Sequence, residues 1–179
     1  EVLQLQHKGE IDMLEETYLK IISAKTAELF AAATKVGAIL SDMKTKEKDA
    51  LEFYGRNLGL TFQIADDTLD YNSELKLFGK KIGQDFYEGK ITLPIILLFQ
   101  NAKDQEKEKL KDIFSKNIRN ENDLNYSLSL IKKYNIIKSC YQKAQHYINL
   151  ASNSLSIFKD NKEKNILENL TSFSLERNF

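Results

Sequence analysis

The hydrophobic positions of this sequence recur at helical spacing along most of the chain. Over about residues 13–40 the apolar side chains are separated by three, four or seven positions, which predicts a first long helix. The same spacing predicts a second helix, which Thr45 caps and which ends near residues 71–73. A glycine-rich loop with a short helical piece is expected next. Thr92 then caps an apolar helix that runs to about Ala102.

The second half of the chain continues this pattern with more charge. Aromatic and aliphatic residues from Leu130 to Phe158 repeat at spacings of four and three, with Asn135 as a candidate interruption. A last helix is predicted over about residues 163–175. Because the 179 residues include only one proline and seven glycines, few residues break helices. We therefore expect one all-α domain over residues 1–179.

The charge balance and the apolar content exclude several classes of protein. The 26 Lys and Arg residues equal the 26 Asp and Glu residues, so the chain lacks the basic excess of a nucleic-acid binder or a polybasic membrane anchor. The longest dense apolar run, Ile91–Phe99, is too short for a transmembrane segment. A single cysteine, Cys140, rules out an internal disulfide framework, which fits a reducing, cytoplasmic location.

Three acidic residues within five positions of the second predicted helix are the first candidate for chemistry. Asp66 and Asp70 are four positions apart, so their Cβ atoms would lie about 5–6 Å from each other, with Asp67 beside them. Burial would strengthen the repulsion between these carboxylates, and a cation would relieve it. One or two carboxylates, completed by phosphate and water, are typical of Mg²⁺. The alternative, a solvated acidic helix face, is the commoner meaning of an isolated D-D-x-x-D pattern.

A glycine-rich segment follows these acids and suits a diphosphate. Gly79, Gly83 and Gly89 fall close together, with Lys80 and Lys90 beside two of them. Glycines allow the backbone to approach a ligand closely, and an ammonium group acts as a point charge on phosphate oxygens. The alternative is an ordinary loop with solvated lysines.

Three blocks of residues together resemble the trans-isoprenyl diphosphate synthases, the polyprenyl synthetase family. Residues 1–4 (E-x-x-Q) resemble the end of the family's G-E-x-x-Q block, and residues 25–30 resemble its K-T-A-x-L-F block. Residues 62–70 (F-Q-x-x-D-D-x-x-D) lead into residues 79–94, where the order, spacing and loop length all agree with the family. The residues are most similar to the long-chain, octaprenyl-like bacterial members.

The resemblance implies a fold, a reaction and partners. The family fold is an all-α bundle with a deep central cavity. Its members condense isopentenyl diphosphate with an allylic prenyl diphosphate to give an all-trans polyprenyl diphosphate, and Mg²⁺ assists ionisation of the allylic diphosphate. The resemblance therefore implies both diphosphates as substrates, Mg²⁺ as cofactor, and a homodimer with one site in each protomer.

The resemblance also assigns roles to residues that match its motifs. The metal ligands it implies are aspartates of the second helix, Asp66 and Asp70. The residues implied to bind the allylic diphosphate are lysines, Lys25, Lys80 and Lys90. The residues implied to be catalytic are Lys25, Thr26 and Gln63, of which the last two present oxygen dipoles near the allylic cation. Asp67 and Asp85 are implied to contact and orient the residues that bind the metal and the diphosphate.

The family's first aspartate-rich motif, which lies upstream of G-E-x-x-Q, has no counterpart in this sequence. We therefore expect the chain to represent the C-terminal part of a polyprenyl synthetase domain and to be inactive alone. An alternative is a non-catalytic helical subunit that partners or regulates a prenyl diphosphate synthase, although retention of Asp66, Lys80 and Lys90 counts against it. A terpene cyclase or head-to-head synthase is a third possibility, which the block over residues 79–94 disfavours.

Overall fold

The computed structural model of the chain describes residues 2–72 and 82–176, with side chains as far as residue 174. Over these two ranges the backbone forms helices and turns and no strand. This confirms the all-α class. Within the described ranges, none of the helices is long and apolar enough to cross a membrane.

The helices follow the spacing of the hydrophobic residues. The α-helices are α1 (Val2–Gln6), α2 (Glu15–Ile22), α3 (Glu28–Leu40), α4 (Thr45–Leu69), α5 (Gln84–Glu88), α6 (Leu93–Asn101), α7 (Asp104–Ser115), α8 (Glu121–Lys133), α9 (Ile136–Ser154) and α10 (Lys162–Glu176). A π-helical turn, Ser23–Ala27, lies between α2 and α3, and a 3₁₀ turn, Leu155–Ile157, follows α9.

Two boundaries differ from the sequence prediction. The first long helix contains the π turn, in which the Glu28 backbone N–H donates to the Ser23 carbonyl five residues earlier. Thr45 lies at the start of α4 instead of capping it, and the Glu47 carboxylate accepts the Lys44 N–H at 2.8 Å. Asn135 interrupts the chain between α8 and α9 as predicted, with a left-handed φ of 53°.

The described residues group into two compact units, of which the first comprises residues up to 21 and the described part of residues 66–141. Its core includes α6, where six consecutive residues from Leu93 to Leu98 are buried. Phe86 of α5 is also fully buried and packs edge-to-face on Phe114 of α7, with ring centroids 5.3 Å apart. This contact anchors α5, a helix too short to be stable by itself.

The second unit comprises residues 22–65 and 142 onwards. Tyr54 and Leu58 of α4 pack with Ala151 of α9 and with Leu155 in its core. The Tyr54 hydroxyl donates to the Leu167 carbonyl of α10 at 2.8 Å, so its buried oxygen has a partner. The expectation that both units belong to one domain stays a prediction.

Candidate active site

Lys25 and Thr26 lie in the π turn between α2 and α3. Such turns are rare and occur frequently at functional sites, because the extra residue changes the direction of nearby side chains. The Thr26 hydroxyl donates to Gln63 Oε1 of α4 at 2.7 Å, although 37 positions separate the two residues. The structure therefore brings together two of the residues that the family resemblance implies near the allylic cation.

A glycine allows α4 to approach this turn closely. An ideal Cβ placed on Gly59 would lie 2.6 Å from the Ala27 Cα, a distance that real Cβ atoms do not tolerate. Gly59 precedes Gln63 by one helical turn, so its missing side chain lets Gln63 reach Thr26. Because the Thr26 hydroxyl donates its hydrogen bond to Gln63, the lone pairs of its oxygen can accept from other donors. The role of Thr26 as an oxygen dipole near the allylic cation stays a prediction.

The three aspartates of the D-D-x-x-D pattern have three different environments. Asp67 is buried and accepts the Tyr18 hydroxyl of α2 at 2.7 Å. Asp70 is also buried, and its Oδ1 and Oδ2 accept the backbone N–H groups of Gln84 and Asp85 at 3.2 and 2.8 Å. Asp66 is only partly buried. Asp70 therefore caps the N-terminus of α5, while Asp66 is the most exposed of the three residues.

Burial fixes the protonation state of the tyrosine beside Asp67. Burial, followed by the negative charge of Asp67, raises the pKa of Tyr18 well above its usual value. The phenol therefore stays protonated and donates to the carboxylate. The supporting role expected for Asp67 stays a prediction.

The aspartates suit a hard cation in their chemistry, although they do not form a complete binding site. Among the residues that the structure describes, no three His, Cys, Asp or Glu side chains converge as metal ligands. Asp66 and Asp70 offer only oxygen, which Mg²⁺ prefers, and Mg²⁺ is commonly held by one or two carboxylates with phosphate and water. The residues present therefore fit a magnesium ion that a diphosphate helps to bind.

Lys90 follows α5 and is held by carboxylates of that helix. Its ammonium lies 2.7 Å from Glu88 Oε2 and 3.1 Å from Asp85 Oδ1. Partial burial opposes its charge, but the hydrogen bonds that the ammonium donates to Glu88 and Asp85 outweigh burial and raise the pKa of Lys90. The group is therefore a permanent cation. Lys80, the other lysine predicted in this segment, lies outside the described residues.

Sequence reasoning missed Arg119, which contacts the other end of α5. This residue is buried between α7 and α8, and its Nη1 and Nη2 approach the carbonyls of Tyr87 and Phe114 at 3.4 and 2.9 Å. It lies outside every motif block, and the 32 positions between it and Tyr87 leave no local pattern that predicts the contact.

Comparison with known proteins gives consistent matches. Residues 1–131 match the family model described as Polyprenyl synthetase. The chain is 33% identical over 177 residues to a short chain isoprenyl diphosphate synthase of Methanothermobacter thermautotrophicus. The matched region covers 99% of this chain and 54% of that protein. It is 46% identical over 96 residues to the octaprenyl diphosphate synthase of Escherichia coli K12, and this match covers 54% of this chain and 30% of that protein.

The fold is also found in solved structures. A polyprenyl synthase from Caulobacter crescentus CB15, complexed with calcium and isoprenyl diphosphate, matches with a TM-score of 0.92 and 36% identity. The match covers 99% of this chain and 54% of that one. The chain thus spans about half the length of the Methanothermobacter and Caulobacter proteins.

Proposed function

Because the chain belongs to the polyprenyl synthetase family, we propose that it forms the C-terminal part of a prenyltransferase. The proposed reaction condenses isopentenyl diphosphate with an allylic prenyl diphosphate to give an all-trans polyprenyl diphosphate. The observation that carries this proposal is the Lys90 ammonium, held beside a glycine turn by two carboxylates of α5. The solved relative that contains calcium and isoprenyl diphosphate supports the same class of substrate.

Lys90 is suited to bind the diphosphate of the allylic substrate. An ammonium group has three donors, and Asp85 and Glu88 accept two of them. The third donor is directed to a phosphate oxygen in this proposal. Because the two carboxylates fix the ammonium before the substrate arrives, little side-chain entropy is lost on binding. Lys25 and Lys80 are proposed to bind the same diphosphate.

Asp66 and Asp70 are the residues that would hold Mg²⁺, and Asp66 would be the main ligand because it is more accessible. When bound, the ion would supply positive charge that stabilises the departing diphosphate. Asp70 would bind the ion with the same carboxylate whose oxygens accept the N–H groups at the start of α5. Asp67, held by Tyr18, is proposed to support Asp66 from the neighbouring position.

Thr26 and Gln63 are proposed to act on the allylic cation that forms when the diphosphate leaves. The hydrogen bond from Thr26 to Gln63 fixes both side chains, so their dipoles need no reorganisation during the reaction. We also propose that the complete protein is a homodimer and acts in the cytoplasm. The exposed apolar side chains of Leu29, Val36 and Leu40 on α3 support association with further protein surface.

Two substitutions in the full-length protein that contains this chain test the proposal. Asp66→Ala should lower kcat by about 100-fold or more, because the interaction it removes strengthens in the transition state. Lys90→Ala should raise KM for the allylic diphosphate with a smaller loss of kcat, because an ammonium already attracts the ground state. The measurement is steady-state kinetics with the allylic substrate varied at saturating isopentenyl diphosphate.

Lys133→Ala is the matched control. Its ammonium also pairs with a carboxylate, Glu106 at 2.6 Å, but it lies on the exposed part of α8. A surface change of this kind should alter stability by no more than about 0.5 kcal/mol and leave the kinetics unchanged. Near-native kcat in a folded Asp66→Ala protein, or full activity in excess EDTA, would contradict the magnesium assignment.

A further inference from the structure

The short helix α5 is held at both of its ends by buried charged residues. At the N-terminus, Asp70 accepts the N–H groups of Gln84 and Asp85. At the C-terminus, Arg119 approaches the Tyr87 carbonyl, one of the helix carbonyls that has no partner inside so short a helix. An anion at the N-terminus and a cation at the C-terminus also complement the helix dipole.

The guanidinium of Arg119 lies directly against the turn that connects α5 to Lys90. An ideal Cβ on Gly89 would lie 2.8 Å from Nη2 and 3.0 Å from Nη1 of Arg119. Gly89 has a φ of 74°, a conformation that glycine adopts without strain. Its carbonyl in turn accepts the N–H of Gly9 at 3.1 Å. The turn is therefore packed against the arginine on one side and tied to the chain near residue 9.

Arg119 is itself rigidly placed. Only 7% of its surface is exposed, its guanidinium lies 5.2 Å from the centre of the Phe114 ring, and Nη2 donates to the Phe114 carbonyl at 2.9 Å. Phe114 packs on Phe86 of α5, so one aromatic pair positions both the arginine and the helix. A planar group with several donors can make these contacts together, whereas a lysine cannot.

We propose that Arg119 is a positioning residue that sets the place of the Lys90 ammonium. It acts by fixing the C-terminal end of α5 and the Gly89 turn. The carboxylates that hold Lys90 belong to α5, Asp85 within it and Glu88 at its last residue, so any shift of that end moves the ammonium. This inference rests on the proposed function for its effect on substrate binding. Its structural part, the support of the turn, is independent of that function.

Arg119→Met in the full-length protein tests both parts, with Arg119→Lys as the conservative variant. Arg56→Met is the matched control. Arg56 is also an arginine with partners, Glu28 and Glu52, but none of its recorded contacts within the described residues involves α5. Arg119→Met should raise KM for the allylic diphosphate about tenfold, the effect of weakening one hydrogen bond to a charged group. The kcat should change less than threefold, and Arg119→Lys should recover part of the affinity.

Hydrogen exchange followed by mass spectrometry gives a readout that needs no activity. The Gly89 and Lys90 amides donate to the carbonyls of Phe86 and Asp85 at 3.1 and 2.9 Å. A peptide over residues 84–92 should therefore exchange faster in Arg119→Met than in the native protein, and Arg56→Met should leave it unchanged.

Chemical rescue provides a third measurement. A cleft of about 380 Å³ borders Arg119 and is otherwise lined by residues 8–10 and 114–117. Through this cleft, millimolar methylguanidinium should enter the space left in Arg119→Ala and lower the raised KM. It should have no such effect on Lys90→Ala, in which the diphosphate contact itself is missing.

The outcomes separate this inference from the proposed function. An unchanged KM in folded Arg119→Met and Arg119→Lys proteins would overturn the inference if Lys90→Ala still raises KM. Unchanged hydrogen exchange over residues 84–92 would overturn it as well, whatever the kinetics. If Lys90→Ala does not raise KM, the proposed role of Lys90 fails, and faster exchange in Arg119→Met would still establish that the arginine supports the turn.

Discussion

Adding the same methyl group to two helical glycines of the second unit should change stability in opposite directions. Gly37 lies in α3 with no atom within 4 Å of an ideal Cβ position. Gly59 lies in α4, where an ideal Cβ would be 2.6 Å from the Ala27 Cα, 3.1 Å from the Ala27 Cβ and 3.2 Å from the Phe30 Cβ. The nearest atom at Gly59 belongs to the backbone, so rotation of a side chain cannot relieve the contact.

The magnitudes follow from helix propensity and packing. Replacing glycine by alanine within a helix stabilises it by about 1 kcal/mol, which is the whole effect expected at Gly37. At Gly59 the same gain is opposed by overpacking, which costs about 3 kcal/mol when the backbone must move. We therefore expect Gly59→Ala to lower the free energy of unfolding by about 2 kcal/mol, and the two variants to differ by about 3 kcal/mol.

The assay is thermal and urea unfolding of the purified 179-residue chain, followed by circular dichroism at a helical wavelength. Gly37→Ala should raise the Tm by about 2–4 °C and Gly59→Ala should lower it by about 4–8 °C, for a chain of this length. Because both glycines belong to one unit, the two variants report on the same structure. A Gly59→Ala chain as stable as Gly37→Ala would refute the close approach of α4 to the π turn.

Three further results are expected. Tyr18→Phe should lower the free energy of unfolding by about 2 kcal/mol in urea titrations, because the buried Asp67 carboxylate loses the hydrogen bond that the Tyr18 hydroxyl donates. An unchanged unfolding midpoint would contradict that contact. Burial raises the pKa of the Cys140 thiol to about 12, so Ellman's reagent at pH 8 should react only after denaturant is added, and rapid reaction of the native chain would show that the thiol is accessible. The 179-residue chain alone should not incorporate labelled isopentenyl diphosphate above a protein-free control, and measurable incorporation would show that it is sufficient for catalysis.

The helices could be predicted from the sequence because they depend on local patterns. Apolar spacing located α4 and the last helix to within a few residues, and the glycines flanking α5 indicated a short helical piece. Asn135 marked a break because asparagine tolerates the left-handed conformation that it adopts here. The π turn escaped prediction because one additional residue within a helix barely changes the apolar spacing.

The sequence indicated which residues belong to the candidate site, but not how they are arranged in it. Residue type and spacing singled out Asp66 and Lys90, since a hard cation needs oxygen ligands and a diphosphate suits amines. Thr26 and Gln63 were indicated only by the family resemblance. Which of them touch could not be derived from spacing. Thr26 is 37 positions from Gln63 in the chain, and their hydrogen bond depends on close packing of two helices.

Tertiary structure alone decided how the site residues are supported. Tyr18 and its partner Asp67 are 49 positions apart, and Arg119 and the Tyr87 carbonyl are 32 positions apart. Hydrophobic periodicity reports which face of each helix is buried, but not which buried groups meet. That pairing is set by the packing of the whole chain, because a buried donor or acceptor must find a partner wherever the fold brings one within reach.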